Sequence, residues 1–462
     1  MEVNVALSKK MWTNFALIVV LVAITGIYSF GNLSAAKPLS EGSLPFLKVE
    51  GPHIVDDTGN KVFLKGINFG NWLLWEGKSL GLVNYAEHKL RYMMEERIDK
   101  EKVDLFFELI KKHLITKEDF HIAKAEGLNV IRLPFHHRYV KDEPTELDRA
   151  IEWAKEAGIY VILDFHAAPG SQAPDYFADS DGTAYLWDRR DHQEEFIRLW
   201  EILAKRYKNE PVIAGYEILN EPVAKEGWKV TKLYKETVER IRRIDPHHIL
   251  FLDGNNYASD PSVLDPPFDD NVVYMLHDYG NSVREIKQTN KQQGWFTFRD
   301  RYKVPIMCSE FYISSDVEKY FESEDIHWAP WIYYKLSSKW QGWIHGMGRE
   351  RRNRLDNIRE EIYRLVENSK ISDGSKEDII KRLDKNQFRD LKNDISRLAR
   401  KNIVNRAELE KLGEELRQIV EISWIDTFCD KINQMSPAEL EELIQQMRER
   451  NSKQFTSDGF YE

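Results

Sequence analysis

The 462-residue sequence predicts an α/β architecture of parallel strands, on three observations. Short, near-continuously apolar runs recur along the chain, as parallel strands buried on both faces require. Amphipathic helical stretches separate them. Polar and aromatic residues collect at the C-terminal ends of the runs.

The runs are VFLKGINF (62–69), NVIRLPF (129–135), IYVILDFH (159–166), IAGYEILN (213–220), HILFLDG (248–254), VVYMLHDY (272–279), VPIMCSEF (304–311) and IHWAPWIYY (326–334). Between them lie patterns such as TELDRAIEWAKEAG (145–158), with a stripe of Leu147, Ile151, Trp153 and Ala154 and a stop at Gly158. QEEFIRLWEILAKRYK (193–208) is a second example. Eight strand-plus-helix units in succession imply a (β/α)8 TIM barrel over residues 50–345. A doubly wound open sheet competes, but no glycine-rich dinucleotide turn follows the first run. Upstream, Thr58-Gly59-Asn60 reads as a hairpin turn in a segment (54–62) able to plug the barrel bottom. The long connection 76–128 carries helical patterns such as KVDLFFELIKKH.

The two ends read differently. Lys9 and Lys10 precede an uncharged apolar run, residues 15–30, and Ser34-Ala35-Ala36 follows with small residues suited to cleavage. Residues 1–36 are therefore expected to be a signal peptide or, through 11–30, a membrane anchor, which makes the protein secreted or attached at the cell surface. Residues 37–49 are expected to link this segment to the barrel. Beyond 345, lysine-, arginine- and glutamate-rich helical sequence predicts an α-helical extension (346–462) packing on the barrel.

Composition narrows the function. A net charge of −10 argues against nucleic acid as a partner. Two cysteines exclude a disulfide framework, and both lie in apolar surroundings. Thirteen tryptophans within a 12% aromatic content hint at flat stacking surfaces, although core packing accounts for most such residues. No cofactor motif is present. HEXXH is absent and the histidines sit singly on different strands, so no metal site is expected. G-x-S-x-G is absent as well.

In a barrel, chemistry gathers at the C-terminal strand ends. There stand Arg132 with His136 and His137, Asp164 with His166, Asn220-Glu221, Asp253 with Asn255 and Asn256, His277 with Tyr279, Glu310, and Trp328 with Trp331. Any one of these alone has a structural explanation, and Arg132 could neutralise Glu217 inside the barrel. Two acids across one mouth, Glu221 and Glu310, favour acid/base and nucleophilic work on a glycosidic bond. Glu217 and Glu221 share strand parity, but Glu217 lies roughly 13 Å deeper at ~3.3 Å per residue, which suits an ion pair.

The ordered motifs GINFGNWLLWEG, VIRLPF, ILDFHAAPGSQ, YEILNEP, YMLHDY and CSEF resemble glycoside hydrolase family 5, the cellulase family. The resemblance implies a retaining β-glycosidase that cleaves β-linked glucans or related oligosaccharides, with Glu221 as general acid/base and Glu310 as nucleophile. It implies supporting roles for Arg132, His166, Asn220, His277 and Tyr279: Arg132 and Tyr279 keep the nucleophile ionised and Asn220 binds the sugar 2-hydroxyl. Trp331 matches the platform under the sugar, with Trp328 competing. HAAPGSQ and GNWLLWE are similar to the exo-β-1,3-glucanase branch, which implies that Glu76 binds a terminal glucose. His136 and Asn68 are further substrate-binding candidates. Ser309 and Tyr312 depart from the family pattern, which commonly has glycine at both positions. A β-mannanase, a glycolipid β-glycosidase and a catalytically silent carbohydrate-binding barrel are the competing functions.

Overall fold

A computed structural model of the chain describes residues 44–82, 85–143, 145–357, 359–384 and 406–448. The expected leader or anchor (1–36) lies outside these. Among the described residues, no helix is long and apolar enough to cross a membrane. The linker expected over 37–49 ends early, because Leu47–Glu50 is already strand β1.

β1 pairs antiparallel with β2 (His53–Asp56). Eight parallel strands follow: β3 (Gly66–Asn68), β4 (Val130–His136), β5 (Tyr160–Ala167), β6 (Ile213–Glu217), β7 (Ile249–Asp253), β8 (Val272–His277), β9 (Ile306–Glu310) and β10 (His327–Trp328). Each predicted run overlaps one of them, with β4 and β5 each reaching one residue further. A bridge between Lys65 and Trp328, with Trp328 N–H donating to the Leu64 carbonyl at 3.1 Å, joins the last strand to the first. The result is a (β/α)8 barrel. Gly215 is required by its tightness: a Cβ there would stand 2.2 Å from the Ile249 carbonyl oxygen.

Strand alternation sorts the interior by height. Val130, Ile162, Phe251, Met275 and Met307 form an apolar lower layer. Two residues further along their strands stand Arg132, Asp164, Asp253, His277 and Ser309, all buried. The β1–β2 hairpin closes the bottom: Leu47 and Ile54 join the lower layer, and burying such side chains stabilises by about 1.5–3 kcal/mol each. The Thr58–Asn60 turn forms above it, with Asp56 Oδ1 accepting from the N–H groups of Thr58 and Asn60.

The connection after β3 folds into α1 (Glu87–Glu95), α2 (Lys100–His113) and α3 (Lys117–Ala125). α4 (Glu146–Ala157) shows how the sequence sets a boundary. Thr145 and Asp148 make a capping box, and Gly158 ends the helix at φ 65°. Its stripe buries Leu147, Ala150, Ile151 and Ala154, whereas Trp153 is half-buried and stacks on Trp72. α5 (Arg190–Tyr207), α6 (Trp228–Arg242), α7 (Val283–Gln293), α8 (Trp295–Tyr302) and α9 (Ser315–Ser323) complete the outer ring.

The C-terminal helices begin earlier than residue 346: α10 spans Ser338–Asn357. α11 (Arg359–Asn368), α12 (Asp373–Asp384), α13 (Arg406–Gln434) and α14 (Pro437–Gln445) follow. Part of α13 shares the barrel's core. Phe428 meets Phe106 of α2 edge-on at 5.4 Å, and Trp340 Nε1 donates to the Leu80 carbonyl at 2.8 Å. Leu355, Ile362, Val366, Leu409, Leu412 and Leu416 form a separate small core further out.

Candidate active site

Arg132, buried at 0% exposure, organises the barrel mouth. Its Nε and Nη2 donate to the two oxygens of Glu217 at 2.7 and 2.6 Å, and Nη1 donates to Glu310 Oε1 at 2.6 Å. The same guanidinium donates to Asn68 Oδ1 (2.8 Å) and Asn220 Oδ1 (2.7 Å) and lies 3.0 Å from Asp164. A single cation thus fixes five groups on or just beyond four strands, β3, β5, β6 and β9, and its planar fork suits that bidentate geometry.

Glu310 reaches this network through an irregularity. A register shift between Leu276 and His277 pairs His277 with Glu310, so Ser309 and Glu310 both serve the mouth. Tyr279 donates its hydroxyl to Glu310 Oε2 at 2.6 Å. Burial works to raise the Glu310 pKa, but the charges of His277, Arg132 and His166 and the Tyr279 hydrogen bond hold it at about 2. Glu310 is therefore a carboxylate at neutral pH.

Glu221 sits just beyond β6 in a left-handed conformation, φ 43°, although it precedes a proline. Its N–H donates to Asp253 Oδ2 at 2.8 Å, which holds the turn. His277 stands between the acids, with Nδ1 2.7 Å from Glu221 Oε1 and 3.6 Å from Glu310 Oε2. Burial opposes its charge, yet Glu310 and Glu221 raise its pKa to about 9. Ser309, the departure from glycine, lies with Oγ 3.0 Å from His277 Nε2.

One oxygen each of Glu221 and Glu310 and a nitrogen of His277 lie within 4.8 Å of one another. Glu217, Asp253 and His277 form a second such group, deeper in the barrel. Arg132 donates to one acid of each group, Glu310 in the first and Glu217 in the second.

The remaining expected residues divide. His166 is held by Asp164 (Nδ1 to Oδ2, 2.6 Å) and approaches Asn220 Nδ2 at 3.2 Å and Glu76 Oε1 at 3.6 Å. Burial works to lower its pKa, but Asp164 raises it to about 10. Burial pushes the Glu76 carboxyl up, against the pull of His166. Trp331 is half-buried, stacks on His166 at 5.7 Å and lies against Gly70, where a Cβ would meet its ring at 2.7 Å. Trp328 instead packs into the barrel wall, edge-on to Phe311. Trp331 is thus the tryptophan at the mouth.

Asn68 and His136 correct the expectation of substrate contact. Asn68 donates to the carbonyls of Ser309, Ala329 and Pro330 while accepting from Arg132, so its amide is spent inside the barrel. His136 is committed to Asp179 through Nε2 (3.0 Å) and to the Arg138 N–H through Nδ1 (3.1 Å). Both build the site's frame.

Gln172 emerges only from the fold. It donates to the carbonyls of His166 (2.6 Å) and Asn220 (3.0 Å) and accepts from the Ala168 N–H, tying two loops together. An amide within a run of small residues was its one local signal. Phe177 and Tyr257 form an aromatic rim, joined by a Tyr257 hydroxyl donating to Asp175 at 2.7 Å. They come from distant loops with no shared motif.

A family model described as cellulase (glycosyl hydrolase family 5) matches residues 99–344. The chain belongs to the cellulase family. Among relatives, it is 38% identical over 250 residues to a β-xylosidase of Phanerodontia chrysosporium, covering 51% of this chain and 52% of the relative. It is 31% identical over 229 residues to endoglucanase C of Acetivibrio thermocellus, covering 47% and 57%. The chain therefore spans about half the length of these curated relatives. A β-glucanase structure from Saccharophagus degradans aligns with a TM-score of 0.45 at 21% identity, over 63% of this chain and 85% of that one.

Proposed function

We propose that this member of the cellulase family is a retaining β-glycosidase acting on β-linked glucans or related oligosaccharides. The carrying observation is the approach of the Glu221 and Glu310 oxygens to within 4.8 Å. Retaining enzymes hold their carboxyl groups about 5–5.5 Å apart, and inverting ones need about 6.5–9.5 Å to admit water.

Glu310, ionised and held by Arg132 and Tyr279, attacks the anomeric carbon. Glu221 protonates the departing oxygen, giving a glycosyl-enzyme ester and a free alcohol. Glu221, now a carboxylate, takes a proton from water as that water attacks the same carbon, releasing Glu310. His277 between the acids stabilises whichever carboxylate is charged at each stage. Asn220, oriented by Arg132, offers its amide N–H to the sugar 2-hydroxyl. Trp331 supplies the stacking face and Glu76 meets the hydroxyls of the terminal sugar. The β-xylosidase and endoglucanase relatives support a β-linked substrate.

Proton NMR of the first product from a panel of β-1,3-glucan, β-1,4-glucan, β-mannan and aryl β-glycosides tests this. A β-anomer is expected at early time; an α-anomer would exclude double displacement.

A further inference from the structure

β10 ends at Trp328, and the chain then runs without regular structure from Ala329 to Ser337 before α10 begins. This segment carries Trp331. On its inner side it is fastened to the barrel: the Trp331 N–H donates to the Phe311 carbonyl at 2.9 Å, and the Tyr333 N–H to the Asn68 carbonyl at 3.0 Å. The Tyr334 hydroxyl accepts from Asn71 Nδ2 at 2.7 Å, and Asn71 Oδ1 accepts from the Glu76 N–H at 2.7 Å. One buried amide thus ties the segment that bears Trp331 to the loop that bears Glu76.

On its outer side the segment is held by residues just after α14. Leu336 and Arg448 form an antiparallel bridge, the Ser337 N–H donates to the Met447 carbonyl at 3.0 Å, and the Ser337 hydroxyl donates to the Gln446 carbonyl. Arg448, 4% exposed, lies 5.7 Å from the centre of the Tyr333 ring. Its Nη2 donates to Asp119 Oδ2 at 2.5 Å, and the Tyr333 hydroxyl donates to Asp119 Oδ1 at 2.8 Å. Asp119 is itself fixed in the capping box of α3, where the Thr116 N–H donates to Oδ2 at 2.6 Å.

Stability alone is a weak reason for this arrangement. A buried arginine–carboxylate pair commonly gains little over apolar packing of the same volume. Nε and Nη1 of Arg448 also have no hydrogen-bond partner among the described residues, and unpaired buried donors cost free energy. What the pair supplies is direction. Two hydrogen bonds to one carboxylate set the Tyr333 side chain, and with it the backbone between Trp331 and Tyr334.

We propose that Arg448 is a positioning residue: through Asp119 and Tyr333, the C-terminal extension holds residues 331–334 where they present Trp331 and Glu76 to the sugar. The proposal rests on the glycosidase reading above. Arg448 itself touches no substrate. The extension is thereby part of substrate recognition, although the reacting carboxylates stand wholly on the barrel.

The test uses the full chain with Arg448→Lys, which keeps the charge and loses the fork, and with Tyr333→Phe, which leaves the buried pair intact and so keeps the fold. On 4-nitrophenyl β-glucoside each variant is expected to raise KM about fivefold and to leave kcat within about twofold, as a loss of uniform binding requires. Fluorine NMR of 5-fluorotryptophan-labelled protein, with the Trp331 signal assigned by Trp331→Phe, is expected to show that signal displaced while those of Trp200 and Trp295 stay. A fall in kcat at unchanged KM, an unmoved Trp331 signal in both variants, or equal movement of all three signals overturns the proposal. Calorimetric binding of β-1,3- and β-1,4-linked glucotetraoses to Glu310→Gln, with and without Tyr333→Phe, separates the two readings. If wild type hydrolyses nothing while Tyr333→Phe displaces the Trp331 signal and weakens tetraose binding, the positioning role stands and the glycosidase reading falls. If hydrolysis occurs and either effect is missing, the positioning role falls and the glycosidase reading stands; with no hydrolysis and either effect missing, both fall.

Discussion

Glu217 receives two hydrogen bonds from Arg132, at 2.7 and 2.6 Å, and both residues are fully buried. Glu221, four residues on, makes no such pair and faces His277. The two glutamates of one short stretch therefore stand in different surroundings, one in a buried ion pair and the other at the mouth, near Glu310. Glu217→Gln is expected to cost about 3–5 kcal/mol of stability, since it leaves a buried guanidinium underpartnered. Urea unfolding reads this directly. A stability within about 1 kcal/mol of wild type would contradict the role given to the pair.

Glu221→Gln acts on rate instead. Hydrolysis of unactivated glycans is expected to fall by about 10²–10⁴-fold, with a smaller loss on aryl glycosides whose leaving group needs no proton. Stability should barely change. Equal losses on both substrate types would remove Glu221 from the acid role.

Glu310→Ala is expected to abolish hydrolysis, because under the proposed mechanism it removes the attacking carboxylate. Added azide should restore turnover of aryl β-glycosides and yield an α-glycosyl azide, since a single displacement inverts the centre. A β-azide product, or full activity without azide, would sink the nucleophile assignment.

The charged cluster also sets a pH window for stability. Glu310 drops from 4.5 to about 2 on folding, so its contribution is present above 4.5 and is lost as pH falls through 2. His277 rises from 6.5 to about 9 and His166 from 6.5 to about 10, so theirs is present below 6.5 and is lost as pH rises through 9 to 10. Thermal unfolding from pH 2 to 10 should show a plateau between these limbs. In His277→Gln the alkaline fall should become shallower; an unchanged limb would place the loss elsewhere.

The C-terminal helices are joined to the barrel through buried charge. Arg448 Nη2 donates to Asp119 Oδ2 at 2.5 Å, Tyr333 donates to the other oxygen at 2.8 Å, and the Tyr333 N–H donates to the Asn68 carbonyl. Arg448→Met is expected to destabilise by about 3–5 kcal/mol. Truncation after residue 350 removes Phe428 from Phe106 as well and should give an insoluble chain. A soluble truncated barrel with wild-type activity would show the extension to be dispensable.

Apolar runs along the chain were enough to locate all eight barrel strands, and periodicity to locate some of the helices between them, because a strand buried on both faces must be apolar throughout and a covering helix must carry a stripe. That Arg132, His166, Glu221, His277 and Glu310 meet at one mouth was legible for a related reason: all lie at the C-terminal ends of apolar runs, which a barrel gathers on one face. Glu217 as an ion-pair partner followed from strand parity and depth alone. The assignment of Asn68 and His136 to the frame came only from the tertiary structure, since which hydrogen bonds exhaust an amide or an imidazole depends on neighbours dozens to hundreds of residues away. The choice of Trp331 over Trp328 depended on which face of the closing strand met the mouth. Local pattern fixes what each segment buries; only the closed barrel decides which polar atoms remain for a substrate.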